Sequence, residues 1–445
     1  MRTIEQHARA LAEGTVTSRA LVEDCLARIA DPAGEGARAF TKVHAASARE
    51  AAEAMDALRR AGRAPGPFAG IPIGLKDLFD IAGEPTPAGS RALADAPPAS
   101  VHAPVVQRML AAGFIPVGRT NMTEFAFSGL GINPHYGTPL APWDRAARRI
   151  PGGSSSGTAV AVADGMAVAG LGTDTGGSCR IPAAFCGVVG YKPTARRVPI
   201  DGVLPLAPSL DSVGPLAASV ACCALIDAVL AGETPSPPVP TALSGLRLAV
   251  PENFALDAVD ADVGAGFDRA LGLLSRAGAH ILRTRFPTFD AIREVNAKGG
   301  FAPAEAYAWH RGLLAEKGAL YDPRIRMRIA RGETQSAADY LDLLAARRRL
   351  IAEFDAATAD FDMVVLPTTP IVPPRLAELE DEHDYNRLNM LILRNTAVGN
   401  FLDRCAISLP CHRPGGPPVG LMLMGETGGD ARLFRVAAAV EAALA

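Results

Sequence analysis

The 445-residue sequence lacks several features that would place it in a class at once. It has no apolar run long enough to span a bilayer, and its start, MRTIEQHARALAEG, carries scattered charges instead of the apolar core of a secretion signal. It also lacks an excess of either charge, because 44 basic residues face 47 acidic ones for a net charge of −3. This balance argues against attraction to nucleic acid or to an anionic membrane. We expect a cytoplasmic protein with neither partner.

Paired cysteines and metal-ligand clusters are missing as well. No CxxC pair occurs, and an odd number of cysteines without a secretion signal argues against a disulfide framework. No His or Cys cluster has zinc spacing, so we expect no metal. A phosphate loop is also absent, because Gly157 is followed by Thr158 where that loop needs a lysine. We expect buried, reduced thiols at the seven positions Cys25, Cys179, Cys186, Cys222, Cys223, Cys405 and Cys411.

What is present is the composition of a globular protein, with 49% hydrophobic and 20% charged residues. Apolar residues at helical spacing follow Thr17 and Ser18, which suit a helix start, and an alanine-rich helix is predicted over 45–61. Helix-then-strand steps recur in VVQRMLAAG to FIPVG, FDRALGLLSRAG to HILRTRFP, and SAADYLDLLAARRRLIAEFDAAT to DMVVLPTTP. The repetition predicts an α/β layered fold.

A segment rich in proline and small residues, 231–245, predicts a connection over the surface between residues 1–230 and 246–445. The strand-like runs AISLPC and VGLMLMG in the second half are suited to rejoin the sheet of the first half. We therefore expect one domain over 1–445, with the motifs in the first half and the second half completing the sheet and the pocket.

Three short segments carry the chemistry: GIPIGLKD over 70–77, PGGSSSG over 151–157 and GTDTGGSCR over 172–180. They supply Lys76, Ser154 and Ser178. An alkyl hydroxyl is a poor nucleophile until a base takes its proton, and a lysine can do so only after burial has favoured its neutral amine. The apolar neighbours of Lys76 favour such burial.

The turn before Ser178 is suited to stabilise negative charge. It joins an apolar, strand-like run to a predicted helix, and N–H groups near a helix start lack partners within the helix. The backbone N–H groups of Thr175, Gly176 and Gly177, with that of Ser178, are therefore candidates for an oxyanion hole. The glycines permit close approach of a ligand.

These motifs resemble those of the amidase signature family, serine amidohydrolases that cleave carbon–nitrogen bonds. The resemblance covers nearly the whole chain and implies an α/β/α sandwich around a central, mostly parallel mixed sheet. It implies Ser178 as nucleophile, Ser154 after a cis peptide bond as proton relay, and Lys76 as base. It also implies supporting roles for Ser155, Asp174 and Arg180. Phe125 and Phe127 stand where members of the family line the acyl pocket.

The resemblance implies acyl transfer through a Ser178 acyl-enzyme, with no cofactor. An amide, a carbamate and an acyl-urea are all open as the small-molecule substrate, and a homodimer is open as the assembly. One departure is Ser156, which stands where the family loop has glycine. Another is Cys179, which stands where a larger aliphatic residue is usual.

Two alternatives remain. The first is the glutaminase subunit of a tRNA-dependent amidotransferase, although its tyrosine-rich motif is reduced here to Tyr340 within 333–350. The second is an α/β-hydrolase esterase, because Gly153 to Gly157 also fits G-x-S-x-G with Ser155 as nucleophile. Its base would be one of His280, His310, His383 and His412.

Overall fold

The alternating patterns of the sequence form one sheet with helices on both faces in the computed structural model, which describes residues 1–445. The strands are β1 Phe40–Val43, β2 Pro72–Lys76, β3 Ile115–Thr120, β4 Ala169–Thr173, β5 Val189–Lys192, β6 Val213–Ala217, β7 Arg247–Pro251, β8 His280–Thr284, β9 Met363–Pro367, β10 Ala406–Pro410 and β11 Gly420–Met424. The α-helices are α1 Ile4–Ala12, α2 Ser18–Ala30, α3 Gly36–Ala39, α4 Ala45–Arg60, α5 Pro104–Ala111, α6 Ser156–Ala163, α7 Arg180–Cys186, α8 Val220–Ala231, α9 Ala261–Arg276, α10 Pro287–Val295, α11 Phe301–Lys317, α12 Pro323–Ala330, α13 Ala337–Thr358, α14 Glu382–Phe401 and α15 Asp430–Leu444.

The helices predicted from periodicity are present. Helix α2 begins after Thr17, whose side chain accepts a hydrogen bond from the Ala20 N–H, and α4 covers the predicted alanine-rich stretch. The three predicted helix-then-strand steps are α5 to β3, α9 to β8 and α13 to β9. The α/β fold class is therefore confirmed.

The strand order is β1-β3-β2-β4-β6-β5-β10-β11-β9-β7-β8. The sheet is mixed, as predicted. The expectation that most pairings are parallel is wrong, because six of the ten pairings are antiparallel. The middle of the sheet accounts for the difference. There β10 and β11 form a hairpin, and β5 and β6 pair without a crossover helix between them.

Strands from both halves of the chain meet in this sheet. Strand β10 pairs with β5, with Ile407 opposite Tyr191, so the second half extends the sheet of the first. Beyond the end of α8 at Ala231, the segment up to Gly245 has neither helix nor strand and is mostly exposed.

Alternation along the strands fills the core on both faces of the sheet. In β11, Leu421 and Leu423 join one apolar cluster, whereas Met422 and Met424 join another. All seven cysteines are buried with free thiols. No helix combines the length and the apolar character that crossing a bilayer requires.

Candidate active site

Lys76 is the last residue of β2, and its side chain is fully buried. Its Nζ donates hydrogen bonds to Ser154 Oγ and to Thr173 Oγ1, each at 2.8 Å. Strand β4 runs parallel to β2, with Leu75 opposite Leu171, so the carboxyl ends of the two strands lie side by side. This pairing brings Thr173, the last residue of β4, to the lysine.

Burial lowers the pKa of the Lys76 ammonium from its usual range to about 8, while nearby acidic side chains act in the opposite direction. Removing a charge from water disfavours the charged form, and no carboxylate forms an ion pair with this amine. A substantial fraction of Lys76 is therefore neutral near pH 8 and able to accept a proton.

Ser154 lies in the turn before α6, and the peptide bond between Gly153 and Ser154 is cis, as the family resemblance implies. The turn packs tightly, because a Cβ added at Gly153 would lie 2.6 Å from the Gly131 nitrogen. Ser156, which replaces a glycine of the family loop, is the first residue of α6 and does not have a positive φ. The substitution is therefore accommodated without strain at this position.

Ser178 lies between β4 and α7 and is almost wholly buried, with 3% exposed. The backbone N–H groups of Thr175, Gly176 and Ser178 donate no hydrogen bond within the protein. The Gly177 N–H is engaged, because it donates to Asp174 Oδ1 at 2.8 Å. Of the predicted oxyanion-hole donors, Thr175 and Gly176 are thus free, and Ser178 rather than Gly177 is the third free donor.

An ion pair between Asp174 and Arg180 stabilises this turn. Both side chains are fully buried, and Arg180 donates to both carboxylate oxygens, from Nη2 at 2.8 Å and from Nε at 3.0 Å. Burial would raise the pKa of the Asp174 carboxyl, but Arg180 and the Asn400 amide outweigh it and hold that pKa far below its usual range. The turn is therefore fixed by a permanently charged pair.

The turns that carry Ser154 and Ser178 meet through the backbone rather than through the hydroxyls of these two serines. The Ser155 N–H donates to the Ser178 carbonyl at 3.2 Å, and the Ser178 hydroxyl makes no hydrogen bond to Ser154. The Ser155 side chain makes no hydrogen bond to the lysine, and its Oγ donates to the Thr173 carbonyl at 3.4 Å. Its link to Lys76 thus runs through Thr173.

A cavity of about 1110 Å³ opens at Ser178. Thr175, Gly176 and Phe127 also line it, and much of the remaining wall is apolar. Phe125 is not among the lining residues. Its ring is fully buried against His310 and Tyr321, with ring centroids 4.4 Å and 4.9 Å away.

Three buried residues that the sequence motifs did not single out complete the site. Thr173 holds Lys76, Asn400 of α14 donates to Asp174, and Asp211 accepts a 2.5 Å hydrogen bond from Thr175 Oγ1. Thr173 had a usable signal, since it ends an apolar run beside the motif serine. Asn400 and Asp211 had none, because their contacts depend on distant parts of the chain.

The histidine-based alternative finds no base in this geometry. No histidine lines the cavity, and Ser155 Oγ faces a backbone carbonyl. His310 is bonded to Tyr321, and His412 accepts a hydrogen bond from the Val419 N–H. His280 and His383 are exposed.

No group of three or more His, Cys, Asp or Glu side chains is arranged to hold a metal ion. Cys179 is fully buried behind the turn, where its thiol faces the Gly214 carbonyl at 3.6 Å. Burial raises the pKa of this thiol far above its usual range. It neither lines the cavity nor offers a nucleophile.

The mixed sheet and the buried lysine beside two serines are the features of a hydrolase that acts on carbon–nitrogen bonds. The profile of the family described as Amidase matches residues 20–434. The chain belongs to this family, the amidase signature enzymes, and hydrolyses non-peptide carbon–nitrogen bonds.

Known proteins similar to this chain span nearly its full length. The 2-amino-5-chloromuconic acid deaminase of Comamonas testosteroni is 37% identical and aligns over 99% of this chain and 96% of its own. One subunit of the glutamyl-tRNA(Gln) amidotransferase of Chloroflexus aggregans is 36% identical, over 98% and 94% of the two chains. A crystal structure of an amidase superposes over 100% of both chains with a TM-score of 0.91 at 33% identity.

Proposed function

We propose that this enzyme hydrolyses the amide bond of a small molecule through an acyl-enzyme on Ser178, with Ser154 as proton relay and Lys76 as base. The observation that carries the proposal is the 2.8 Å hydrogen bond from the buried Lys76 amine, whose pKa is lowered to about 8, to Ser154 Oγ. The adjacent Ser178 lines the cavity that a substrate would enter.

In the first half of the reaction, Ser178 Oγ forms a bond to the substrate carbonyl carbon. Its proton passes to Ser154, and the Ser154 proton passes to the neutral Lys76 amine. A rotation of the Ser178 side chain brings its hydroxyl to Ser154, as is common where catalytic hydrogen bonds tighten only with substrate bound. The carbonyl oxygen, now an anion, accepts hydrogen bonds from the free N–H groups of Thr175, Gly176 and Ser178.

In the second half, the carbon–nitrogen bond breaks, and the proton held by Lys76 returns through Ser154 to the leaving amine. Water then attacks the acyl carbon and gives its proton to the same pair of residues. The carbon–oxygen bond to Ser178 breaks as the acid leaves, and Ser178 regains its proton. The cycle restores the neutral lysine.

A stand-alone amidase is favoured over the glutaminase component of an amidotransferase by the region around Tyr340. The amidotransferase has a tyrosine-rich motif there, whereas Tyr340, the single tyrosine of segment 333–350 in this chain, donates to Glu305 at 2.8 Å and does not line the cavity. The relative from Comamonas testosteroni is a deaminase of an organic acid, which favours a small organic acid as substrate here also. A carbamate or acyl-urea substrate, a homodimer and a cytoplasmic location stay predictions.

The test is amine release from a panel of amides, anilides, ureas, carbamates and free glutamine. We expect Ser178→Ala and Lys76→Ala each to lower turnover about a thousandfold or more with folding intact, as for removal of a member of a catalytic triad. Ser156→Ala is the matched control from the same serine-rich turn and is expected to retain activity. A Ser178→Ala enzyme with the wild-type rate would remove Ser178 as nucleophile.

A further inference from the structure

The cavity at Ser178 is lined by six cationic side chains and by no acidic one. Five are exposed or partly exposed: Arg293, Lys298, Arg331, Arg387 and Arg394. Of these, Lys298 pairs with Asp339 outside the lining, as Arg387 does with Asp384 at 2.9 Å. The sixth, Arg328 of α12, lies deeper and differs from all of these.

Arg328 is a buried guanidinium without a partner. Only 7% of the residue is exposed, yet it donates no hydrogen bond to any protein atom and forms no ion pair, and its Nε is a buried donor left unsatisfied. Other buried arginines of this chain are paired, Arg180 with Asp174 and Arg119 with Glu84 at 2.7 Å. Because a buried charge is costly unless it is paired, the arrangement indicates a partner that is not part of the chain.

The guanidinium of Arg328 packs against an aromatic ring, and both side chains line the cavity. Its guanidinium carbon lies 5.1 Å from the centre of the Phe127 ring, which supports one face of the group. Burial first, and then the positive charge of Arg331, lower the pKa of Arg328. An anion placed between these two arginines would relieve both effects. Phe127 and Arg328 line the same cavity as Ser178. One ligand in this cavity can therefore present an anionic group to Arg328 and the bond that is cleaved to Ser178.

We infer that the substrate carries a free carboxylate in addition to the carbon–nitrogen bond that is cleaved, and that Arg328 binds this carboxylate. The inference rests on the proposed function, because it assigns Ser178 to the bond that breaks. A planar guanidinium matches a carboxylate through two parallel N–H···O bonds. The apolar wall between suits the carbon chain that joins the two groups. The substrate class is therefore a small monoamide of a dicarboxylic acid or a comparable amino acid derivative.

Binding tests this inference without turnover. Succinate, glutarate and adipate are titrated calorimetrically into the wild type, Arg328→Met, Arg328→Lys and Arg326→Met. Arg326 is the matched control, since it lies on the same helix, is exposed and does not line the cavity. We expect at least one dicarboxylate to bind the wild type and the Arg326 variant equally. Binding should weaken about tenfold to a hundredfold in Arg328→Met and less in Arg328→Lys.

Methionine fills a volume close to that of arginine without its charge, so Arg328→Met is expected to fold, and a thermal unfolding curve verifies this. Should it fail to fold, Arg328→Lys carries the comparison. The inference is overturned if no dicarboxylate binds the wild type, or if the folded Arg328 variants bind as tightly as the wild type.

Turnover separates this inference from the proposed function. Ammonia release is compared for succinamate, glutaramate and adipamate against neutral alkyl amides of the same chain length. We expect the ratio of kcat/KM for anionic over neutral amides to fall at least tenfold in Arg328→Met, mainly through KM. If dicarboxylates bind through Arg328 but no amide is cleaved, the proposed reaction fails and the carboxylate site stands. If neutral amides are preferred and the ratio is unchanged, the carboxylate site fails and the amidase stands.

Discussion

Lys76 has no opposite charge within ion-pair distance, and its amine is held by two hydroxyls, those of Ser154 and Thr173. Hydroxyls can donate to a neutral amine as well as accept from an ammonium, so both states of the lysine keep their hydrogen bonds. Burial then shifts the equilibrium toward the neutral state and lowers the pKa of Lys76 to about 8. The residue is therefore suited to gain and lose a proton without rearrangement.

This environment predicts the pH dependence of the enzyme. Only the neutral amine accepts a proton, so log kcat/KM for a non-titrating amide should rise with pH, with a slope near one, until about pH 8, the lowered pKa of Lys76, and level off above it. The measurement is a kcat/KM profile with thermal unfolding recorded at each pH. A profile that is flat or falling between pH 6 and 8 would contradict a lysine base.

At this scale the sequence predicts the reacting residues better than their supports. Lys76, Ser154 and Ser178 stand in short motifs whose glycines and serines mark sharp turns. Asn400 and Arg328 belong to ordinary helices, and nothing local distinguishes Arg328 from the exposed arginines beside it in RIRMRIARG. Its burial depends on how α12 packs in the folded chain. The burial of Arg328 therefore could not be predicted from the local sequence.

At the scale of elements, the turn between β4 and α7 depends on one glycine. Gly177 has a φ of +132°, and a Cβ there would lie 2.1 Å from Thr396 Oγ1 and 2.6 Å from Ile181 Cδ1. Its neighbour Gly176 has no positive φ, and a Cβ there would meet nothing closer than 3.6 Å. Two adjacent glycines in one turn therefore have different requirements.

The pair gives a matched test of the turn. Gly177→Ala should lower the free energy of unfolding by about 1–3 kcal/mol, because the new methyl group enters occupied space and the backbone conformation is unfavourable for alanine. Gly176→Ala should change the free energy of unfolding by less than about 1 kcal/mol. Urea unfolding curves measure both. Equal effects of the two substitutions would show that the turn does not depend on the conformation of Gly177.

The elements also show where sequence patterns stop. Helical spacing and apolar runs located α2 and α4 and the three helix-then-strand steps α5 to β3, α9 to β8 and α13 to β9, because these patterns arise from each element's own buried face. The direction of a strand relative to its neighbour produces no such hydrophobic pattern in the sequence. The expectation of a mostly parallel sheet came from the family resemblance, whereas β5, β6, β10 and β11 pair antiparallel in the middle of the sheet.

At the scale of the molecule, the sheet ties the two halves of the chain together. The pairing of β10 with β5 places a strand of the second half against the first, and Asn400 of α14 reaches across to Asp174. The site is thus built from both sides of the 231–245 connection. We propose that the whole chain is one domain.

The two tryptophans test this proposal, because Trp143 lies in the first half and Trp309 in the second. Trp309→Phe leaves Trp143 as the only reporter, and Trp143→Phe leaves Trp309. We expect the two urea transitions followed by fluorescence to coincide with each other and with the loss of secondary structure, since coincident probes indicate cooperative unfolding. Midpoints separated by more than the error between the single-tryptophan variants would indicate two independent domains.

The seven thiols have a consequence for inhibition. All are buried, and burial raises the pKa of each, so none offers a thiolate to a reagent in solution. An electrophile that inactivates the native enzyme is therefore expected to react with oxygen or nitrogen, and Ser178 is the cavity-lining residue whose hydroxyl the proposed reaction activates. We therefore expect serine-reactive electrophiles to inactivate this protein covalently, and thiol-selective reagents to leave the native enzyme active.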